Sequence, residues 1–367
     1  MSHNLAKVLV LTKNEYDLID DFLRFYSFIF GASNIVVIDN GSDDPRVLQT
    51  YETYTKLGVV IERDADRGMM DMAQIMTDAM RRHASEATFL IPLDTDEFMF
   101  LPGRPDIRDI VDARAAILEH LRGLESAPGV SILRYAKFLG SVADPGSADY
   151  VDHKHTRPAR SIRTYHDQGW DKLIARSSDF VSISQGNHHA TTRCSDGQPS
   201  KQLKSELLGL LHFHETGAAR KRERCVMSML GYGHMTAEEL LLGPDEQLAL
   251  CEVVIRRRCF GGHRVEQYRE FLRREILCRE FSRANGRLPS QEEAVACLTR
   301  DSIETIDIGR VDGAECIGCA DDIVYYETPR SDMHVVDQLA KFFESLDSLK
   351  SLDSMEAKVE RKAKRIL

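Results

Sequence analysis

Short apolar runs alternate with stretches of helical period through the first hundred residues. Residues 7–11 (KVLVL) form an apolar run, and residues 14–30 repeat apolar positions every three or four places up to Gly31, which predicts a strand and then a helix. Thr12 with Glu15 three places on fits a capping box, and Gly31 fits the left-handed position that follows many helices. The unit recurs as a strand at 35–38, a helix-like stretch, a strand at 59–61, a helix over 69–82 and a strand at 89–93. Continuous apolar runs bounded by turns are expected of parallel strands buried on both faces. Residues 106–125 predict another helix and 130–138 another strand. From there to about residue 171 the chain is rich in Gly, Pro, Asp and His and reads as a loop, suited to a lid or an acceptor-binding segment.

Beyond residue 215 the pattern turns helical, over 218–230, after a capping box at Thr236 and Glu239, over 265–284, and after a second box at Ser290 and Glu293. The expected organisation is an α/β domain over 1–215, a helical subdomain over 216–344 and a helical tail over 345–367. In the tail Leu346, Leu349, Leu352 and Met355 recur every third residue before an alternation of Lys and Arg. That pattern suits either a helix that meets a membrane surface or a second copy of the chain, or a frayed, solvated terminus.

A chain of 367 residues with 43% hydrophobic content can bury one large core or two moderate ones. The net charge of −10 and pI near 5.7 exclude neutralisation of nucleic-acid phosphates as the main task. No apolar run reaches the length of a membrane span and the first residues lack the apolar core of a signal peptide, so a cytoplasmic location is expected. The eight cysteines are scattered, with one CxxC pair at Cys316 and Cys319, and free thiols are expected rather than a disulfide framework or a zinc site.

Polar clusters stand where the four strands end: Thr12 to Glu15, Asp39 to Asp44, Asp64 to Gly68 and Asp94 to Glu97. Ligands of open α/β sheets bind in the crevice outside the carboxyl ends of the strands, so these clusters are expected to converge. The densest is Asp94-Thr95-Asp96-Glu97, three carboxylates in four residues after an apolar strand. Mutual repulsion makes such a group costly without a cation, and clustered hard oxygens suit Mg²⁺ or Mn²⁺, ions that also bridge phosphate oxygens and stabilise a departing diphosphate as Lewis acids. The plainer reading is a solvated acidic turn.

Thr12-Lys13-Asn14-Glu15, Ile38-Asp39-Asn40-Gly41-Ser42-Asp43-Asp44 and Asp94-Thr95-Asp96-Glu97-Phe98, in that order, resemble the serial motifs of family 2-like glycosyltransferases, and most of all the branch that includes family 92. The resemblance spans roughly residues 5–230. It implies a Rossmann-like mixed sheet of GT-A type flanked by helices, with a helical subdomain after it. It also implies a nucleoside diphosphate donor, a UDP-sugar first, and transfer to a saccharide or glycoconjugate hydroxyl. By the same resemblance Asp39 holds the nucleoside, Asp94 lies near ribose or metal and Asp96 binds metal, while Thr12, Asn14 and Glu15 line the base. Arg67, in the pair Arg67-Gly68, contacts the diphosphate, and Lys172 holds diphosphate or acceptor.

Seven of the thirteen histidines fall between residues 153 and 214. The resemblance places a downstream histidine in the metal shell, and His212 and His214, on one face of an expected strand, both qualify. An inverting transfer needs a carboxylate to take the acceptor proton. Asp171, beside the sole tryptophan, is the first candidate and Glu97 the second. The rival function is a haloacid-dehalogenase-like phosphatase with Asp94 and Asp96 as nucleophile and acid. Against it, Asp94 follows three strand–helix units instead of opening the chain.

Overall fold

The computed structural model describes residues 4–127, 129–142, 164–167, 172–193, 200–213, 218–257, 262–287 and 333–348. Two compact units are formed, one from residues 1–217 with 326–367 and the other from 218–325.

The first unit is built on a mixed sheet of seven strands. In chain order these are β1 (Asn4–Thr12), β2 (Ile35–Asp39), β3 (Val60–Arg63), β4 (Ala87–Leu93), β6 (Val130–Arg134), β9 (Leu173–Arg176) and β12 (Lys201–Lys204). Their order across the sheet is β12-β6-β9-β4-β1-β2-β3. β1 runs parallel to β2 and β4, and β2 to β3, while β9 is antiparallel to both β4 and β6. This is an α/β fold with the Rossmann-like order 3-2-1-4, and the chain switches direction of winding between β1 and β4. Register aligns the exits: Thr12 lies opposite Asp39 and Val10 opposite Leu93.

The strands lie centrally because both of their faces are apolar. Val8, Leu9 and Val10 of β1 are all fully buried. On one face pack α1 (Ile19–Phe30), α2 (Pro45–Lys56) and α4 (Ile110–Glu125), and on the other α3 (Met72–His83) sets Ile75, Met76, Ala79 and Met80 against Leu9, Val36, Ile38 and Leu90. A second sheet of four strands, in the order β5-β13-β7-β8, is formed by β5 (Glu97–Phe100), β7 (Lys137–Val142), β8 (Thr164–Asp167) and β13 (Gly209–His212). A hairpin of β10 (Phe180–Ile183) and β11 (Ala190–Thr192) completes the described strands.

Several sequence expectations change at this level. The single strand expected over 130–138 is two strands in different sheets, β6 and β7, broken where the Ala136 N–H donates to the Leu208 carbonyl at 2.6 Å. An apolar run carries no mark of which sheet each half joins. The stretch taken as loop up to residue 171 contains β7 and β8. Helix α1 begins at Ile19, with no side-chain cap. The Glu15 carbonyl instead accepts the Leu18 and Ile19 N–H groups, so Thr12 and Glu15 do not form a capping box. The box at Thr236 and Glu239 does form.

The C-terminal boundary also moves. Helix α8 (Met333–Asp347) crosses residues 344 and 345 and packs in the first unit: Phe343 lies tilted against Phe25 and edge-on to Phe98, and Phe342 and Leu346 are fully buried. Gln338 accepts from the Leu101 N–H and donates to the carbonyls of Arg104 and Ile107, which ties α8 to the chain leaving β5. The remainder of the expected tail, with Leu349, Leu352 and Met355, lies outside the described residues, as do Cys316 and Cys319. In the second unit α5 (Ala218–Gly231), α6 (Pro244–Arg256) and α7 (Gly262–Asn285) enclose Cys225, Met229, Cys251, Val265, Tyr268 and Leu272. Cys225, Cys251 and Cys278 are free thiols. Among the described residues no helix is long and apolar enough to cross a membrane.

Gly209 stands opposite Phe100 in the β5–β13 pair, where a Cβ would lie 2.5 Å from the ring. Gly209→Ala is therefore expected to destabilise the first unit by about 1–3 kcal/mol, read as a lower urea midpoint with unchanged m-value. An unaltered midpoint would mean that the Phe100 ring turns aside at no cost.

Candidate functional site

Three loops leave β1, β2 and β3 side by side, and two asparagines lace them together. Asn14 sits at φ 54°, a left-handed conformation that asparagine tolerates better than most residues. Its N–H donates to Ser42 Oγ at 2.9 Å, and its Oδ1 accepts the N–H groups of Asp43 and Asp44 at 3.0 and 3.1 Å. Asn40 donates through Nδ2 to the carbonyls of Asp64 and Arg67, at 2.7 and 2.8 Å. Gly41, at φ 81°, lets the second loop approach the third, where a Cβ would lie 3.2 Å from that of Ala65.

Asp39 is fully buried at the end of β2. Its carboxylate accepts the Ser42 N–H at 3.0 Å and the Tyr51 hydroxyl at 3.3 Å, and Arg63 Nε lies 3.3 Å away. Burial, with the Asp39 charge adding to it, drives the Tyr51 hydroxyl pKa up, so Tyr51 stays a donor. Beside Asp39, Thr12 Oγ1 is buried with no hydrogen-bond partner among the described residues.

Across the switch point, Asp94 follows β4. The Asp94 N–H donates to Glu97 Oε2 at 2.9 Å and the Glu97 N–H donates back to the Asp94 carbonyl at 3.1 Å, closing a tight turn. Lys172, just ahead of β9, places Nζ 2.8 Å from Asp94 Oδ2 and 2.9 Å from Glu97 Oε1. The side chains of Lys172 and Glu97 are 1% and 0% exposed, whereas that of Asp94 is 36% exposed. Burial opposes the charged form of Lys172, but Asp94 and Glu97 outweigh it and hold its pKa above the ordinary value. Burial raises the Glu97 pKa, with Lys172 pulling the other way and Asp94 adding to the rise.

Asp96 turns toward the second sheet. His212 Nε2 lies 3.2 Å from Asp96 Oδ1, and the Phe213 N–H donates to the Asp96 carbonyl at 2.8 Å. His212 stacks on Phe138 with ring centroids 5.5 Å apart. Burial would lower the His212 pKa, yet the Asp96 carboxylate wins and raises it.

The structure thus gathers Thr12, Asn14 and Asp39 on one side of the switch point, and Asp94, Asp96, Lys172 and His212 on the other. Glu15 contributes its carbonyl to the start of α1. Arg67 is engaged by Asp64 and Asp78, and braces the third loop through those pairs. Two of the expected contact residues are closed off from solvent. Lys172 has almost no exposed surface to offer a phosphate or an acceptor, and Glu97 none to receive an acceptor proton. Each balances the other's charge. Asp171 and His214 lie outside the described residues.

One residue of the site escaped the sequence reading. Asn187, buried at φ 61°, donates through Nδ2 to Asp94 Oδ1 at 3.3 Å. The pair Gly186-Asn187 signals a tight turn, but nothing in that signal points to a residue 93 positions earlier.

Among the described residues no group of three or more His, Cys, Asp or Glu converges as a metal cage. Asp96 with His212 is a pair of suitable donor types, and Mg²⁺ or Mn²⁺ commonly takes its other ligands from phosphates and water. The residues present therefore fit a divalent ion that is shared with a bound phosphate ligand.

No protein-family model and no curated protein sequence matches the chain. Among solved structures, S. aureus TarS is similar at 14% identity over 76% of this chain and 44% of its own length, with a TM-score of 0.32. S. aureus TarS 1–349 in complex with UDP is 15% identical over 85% of this chain and 94% of that one, TM-score 0.31. GalNAc-T7 with UDP, GalNAc and Mn²⁺ is 11% identical over 58% and 44%, TM-score 0.34. Likenesses this weak leave the site to be read from its own geometry.

Replacing Lys172 by Met leaves Glu97 a buried charge without its cation, and breaking such pairs costs about 3–5 kcal/mol. The sign of its pH dependence follows from Glu97. Burial raises its folded pKa, and loss of Lys172 raises it further, so the stability of the folded state falls as pH rises through that value. Chemical denaturation should show the deficit of Lys172→Met against wild type shrinking from pH 8 to pH 5. A deficit independent of pH would remove Glu97 from the explanation.

Proposed function

We propose that this protein is a glycosyltransferase that draws a sugar from a nucleoside diphosphate donor, a UDP-sugar first, and passes it to a hydroxyl of a saccharide or glycoconjugate. The observation that carries this reading is that the laced polar loops after β1, β2 and β3 lie on one side of the β1–β4 switch point and the Asp96–His212 carboxylate–imidazole pair on the other. Crevices at such switch points are where α/β sheets bind nucleotides. Asp39, buried and fixed by Ser42, Tyr51 and Arg63, is proposed to hold the nucleoside through the loop it organises, with Thr12 and the Asn14 turn beside it.

Asp96 and His212 would hold the divalent cation, Mn²⁺ or Mg²⁺, with His214 as a further candidate from the adjoining segment. Bound there, the ion supplies Lewis-acid stabilisation of the charge that builds on a departing diphosphate. Lys172 and Asn187 hold Asp94 in place beside it. Asp171 is the carboxylate proposed to take the acceptor proton in an inverting transfer. Asp94 as a phosphatase nucleophile is less well served, since both of its oxygens are engaged by Lys172 and Asn187.

Calorimetric titration of UDP, GDP, CDP and TDP, each with and without Mn²⁺, tests the reading. One diphosphate should bind more tightly with the metal, and Asp96→Ala should weaken that metal-dependent binding by roughly 10–100-fold. Asp39→Asn should weaken binding both with and without Mn²⁺. Absence of binding by all four diphosphates would sink the proposal, and a phosphatase assay with Asp94→Asn as control would then decide for the rival chemistry.

A further inference from the structure

Helix α3 is tied by single side chains to two segments of the first unit. Asp78 pairs with Arg67 of the third loop at 2.8 Å, and Thr77 Oγ1 accepts the N–H of Ile183, on the hairpin that carries Asn187, at 3.1 Å. The C-terminal end of the helix is fastened by five charged or titratable side chains. Lys7 on β1 pairs with Glu86 Oε2 in the turn after the helix, and Arg82 on α3 pairs with Glu62 Oε2 on β3. Between the two carboxylates stands His83, the last residue of α3, with Nδ1 2.7 Å from Glu86 Oε1 and Nε2 2.9 Å from Glu62 Oε1. Because β2 separates β1 from β3 in the sheet, this row holds the helix end to the sheet's centre and to its edge at once.

We propose that His83 is held as an imidazolium, a proton-dependent clamp that fastens the C-terminal end of α3 to β1 and β3. A neutral imidazole has one N–H and one bare nitrogen, and a carboxylate has only acceptors. Two ring nitrogens this close to carboxylate oxygens need a hydrogen in each contact, one more than the neutral ring supplies. That proton lies on the ring. Burial pushes the Glu62 and Glu86 carboxyls up, but hydrogen bonds from Arg82 and His83 to Glu62, and from Lys7 and His83 to Glu86, outweigh it and hold both below the ordinary value. His83 is 8% exposed, and the last turn of a helix favours a cation. Strands β4 and β10, which also pack on α3, carry no charged residue. Of the other charged residues on or beside the helix, Arg63 binds Asp39 and the Ser42 carbonyl, Arg81 binds the Val181 carbonyl, and Asp71 precedes the first residue of α3. The sign of the pH dependence follows. In the unfolded chain histidine gives up its proton near about pH 6.5, so above that pH the folded state binds one proton more and its stability falls as pH rises.

The test is side-chain ¹⁵N NMR of His83 in the full chain, together with urea denaturation of wild type and His83→Gln. Both ring nitrogens should carry hydrogen at about pH 8, where free histidine is neutral. The unfolding equilibrium constant of wild type divided by that of His83→Gln should rise about tenfold between pH 7 and pH 8, the effect of one proton. A bare ring nitrogen at about pH 8 would overturn the proposal, and so would a ratio that changes less than about twofold over that interval. If His83→Gln does not fold, the ring nitrogens of the wild type still decide. The clamp does not rest on the glycosyltransferase reading, and failure of every nucleoside diphosphate to bind would leave it standing.

Discussion

A carboxylate shut off from solvent at a strand exit is costly unless a cation accompanies it, and for Glu97 that cation is Lys172. Its ammonium neutralises Glu97, which has no contact with solvent, and fixes Asp94, which has. Buried ion pairs of this kind add little net stability compared with apolar residues, because desolvation offsets most of the attraction. What the pair secures is geometry. Glu97 is anchored on one side of the turn and Asp94 on the other, and Asp96 lies against His212.

The same turn is one of the links between the two sheets of the first unit. β4 ends in the seven-stranded sheet at Leu93 and β5 begins in the four-stranded one at Glu97, so Asp94, Thr95 and Asp96 are the whole link between these two strands. The second sheet is held from behind by aromatic packing, with Phe98 against Phe25, Phe213 and Phe343, and by the Tyr26 hydroxyl on the Glu97 carbonyl. Helix α8, more than two hundred residues further along the chain, thereby supports the backbone that carries the acidic cluster. The β2 side of the crevice is made rigid by other means: asparagine-to-backbone hydrogen bonds and positive φ at Asn14 and Gly41, which join three loops that have no regular structure of their own. Preorganised polar groups of this type bind without the cost of ordering a loop.

Periodicity alone placed β1 to β4 and the helices between them, because strands buried on both faces must be continuously apolar and a surface helix must repeat at 3.6 residues. Strand order made the convergence of Asn14, Asp39 and Asp94 foreseeable, since the carboxyl ends of parallel strands share one edge. The acidic triplet was legible as a charge problem, though not the form of its solution. That Lys172 pairs with Glu97, that Asn187 reaches Asp94, that residues 130–138 divide between two sheets and that α8 belongs to the first unit were decided by tertiary structure. Each depends on contacts between segments far apart in the chain, and hydrophobic period and local turn chemistry record only what a residue's near neighbours require.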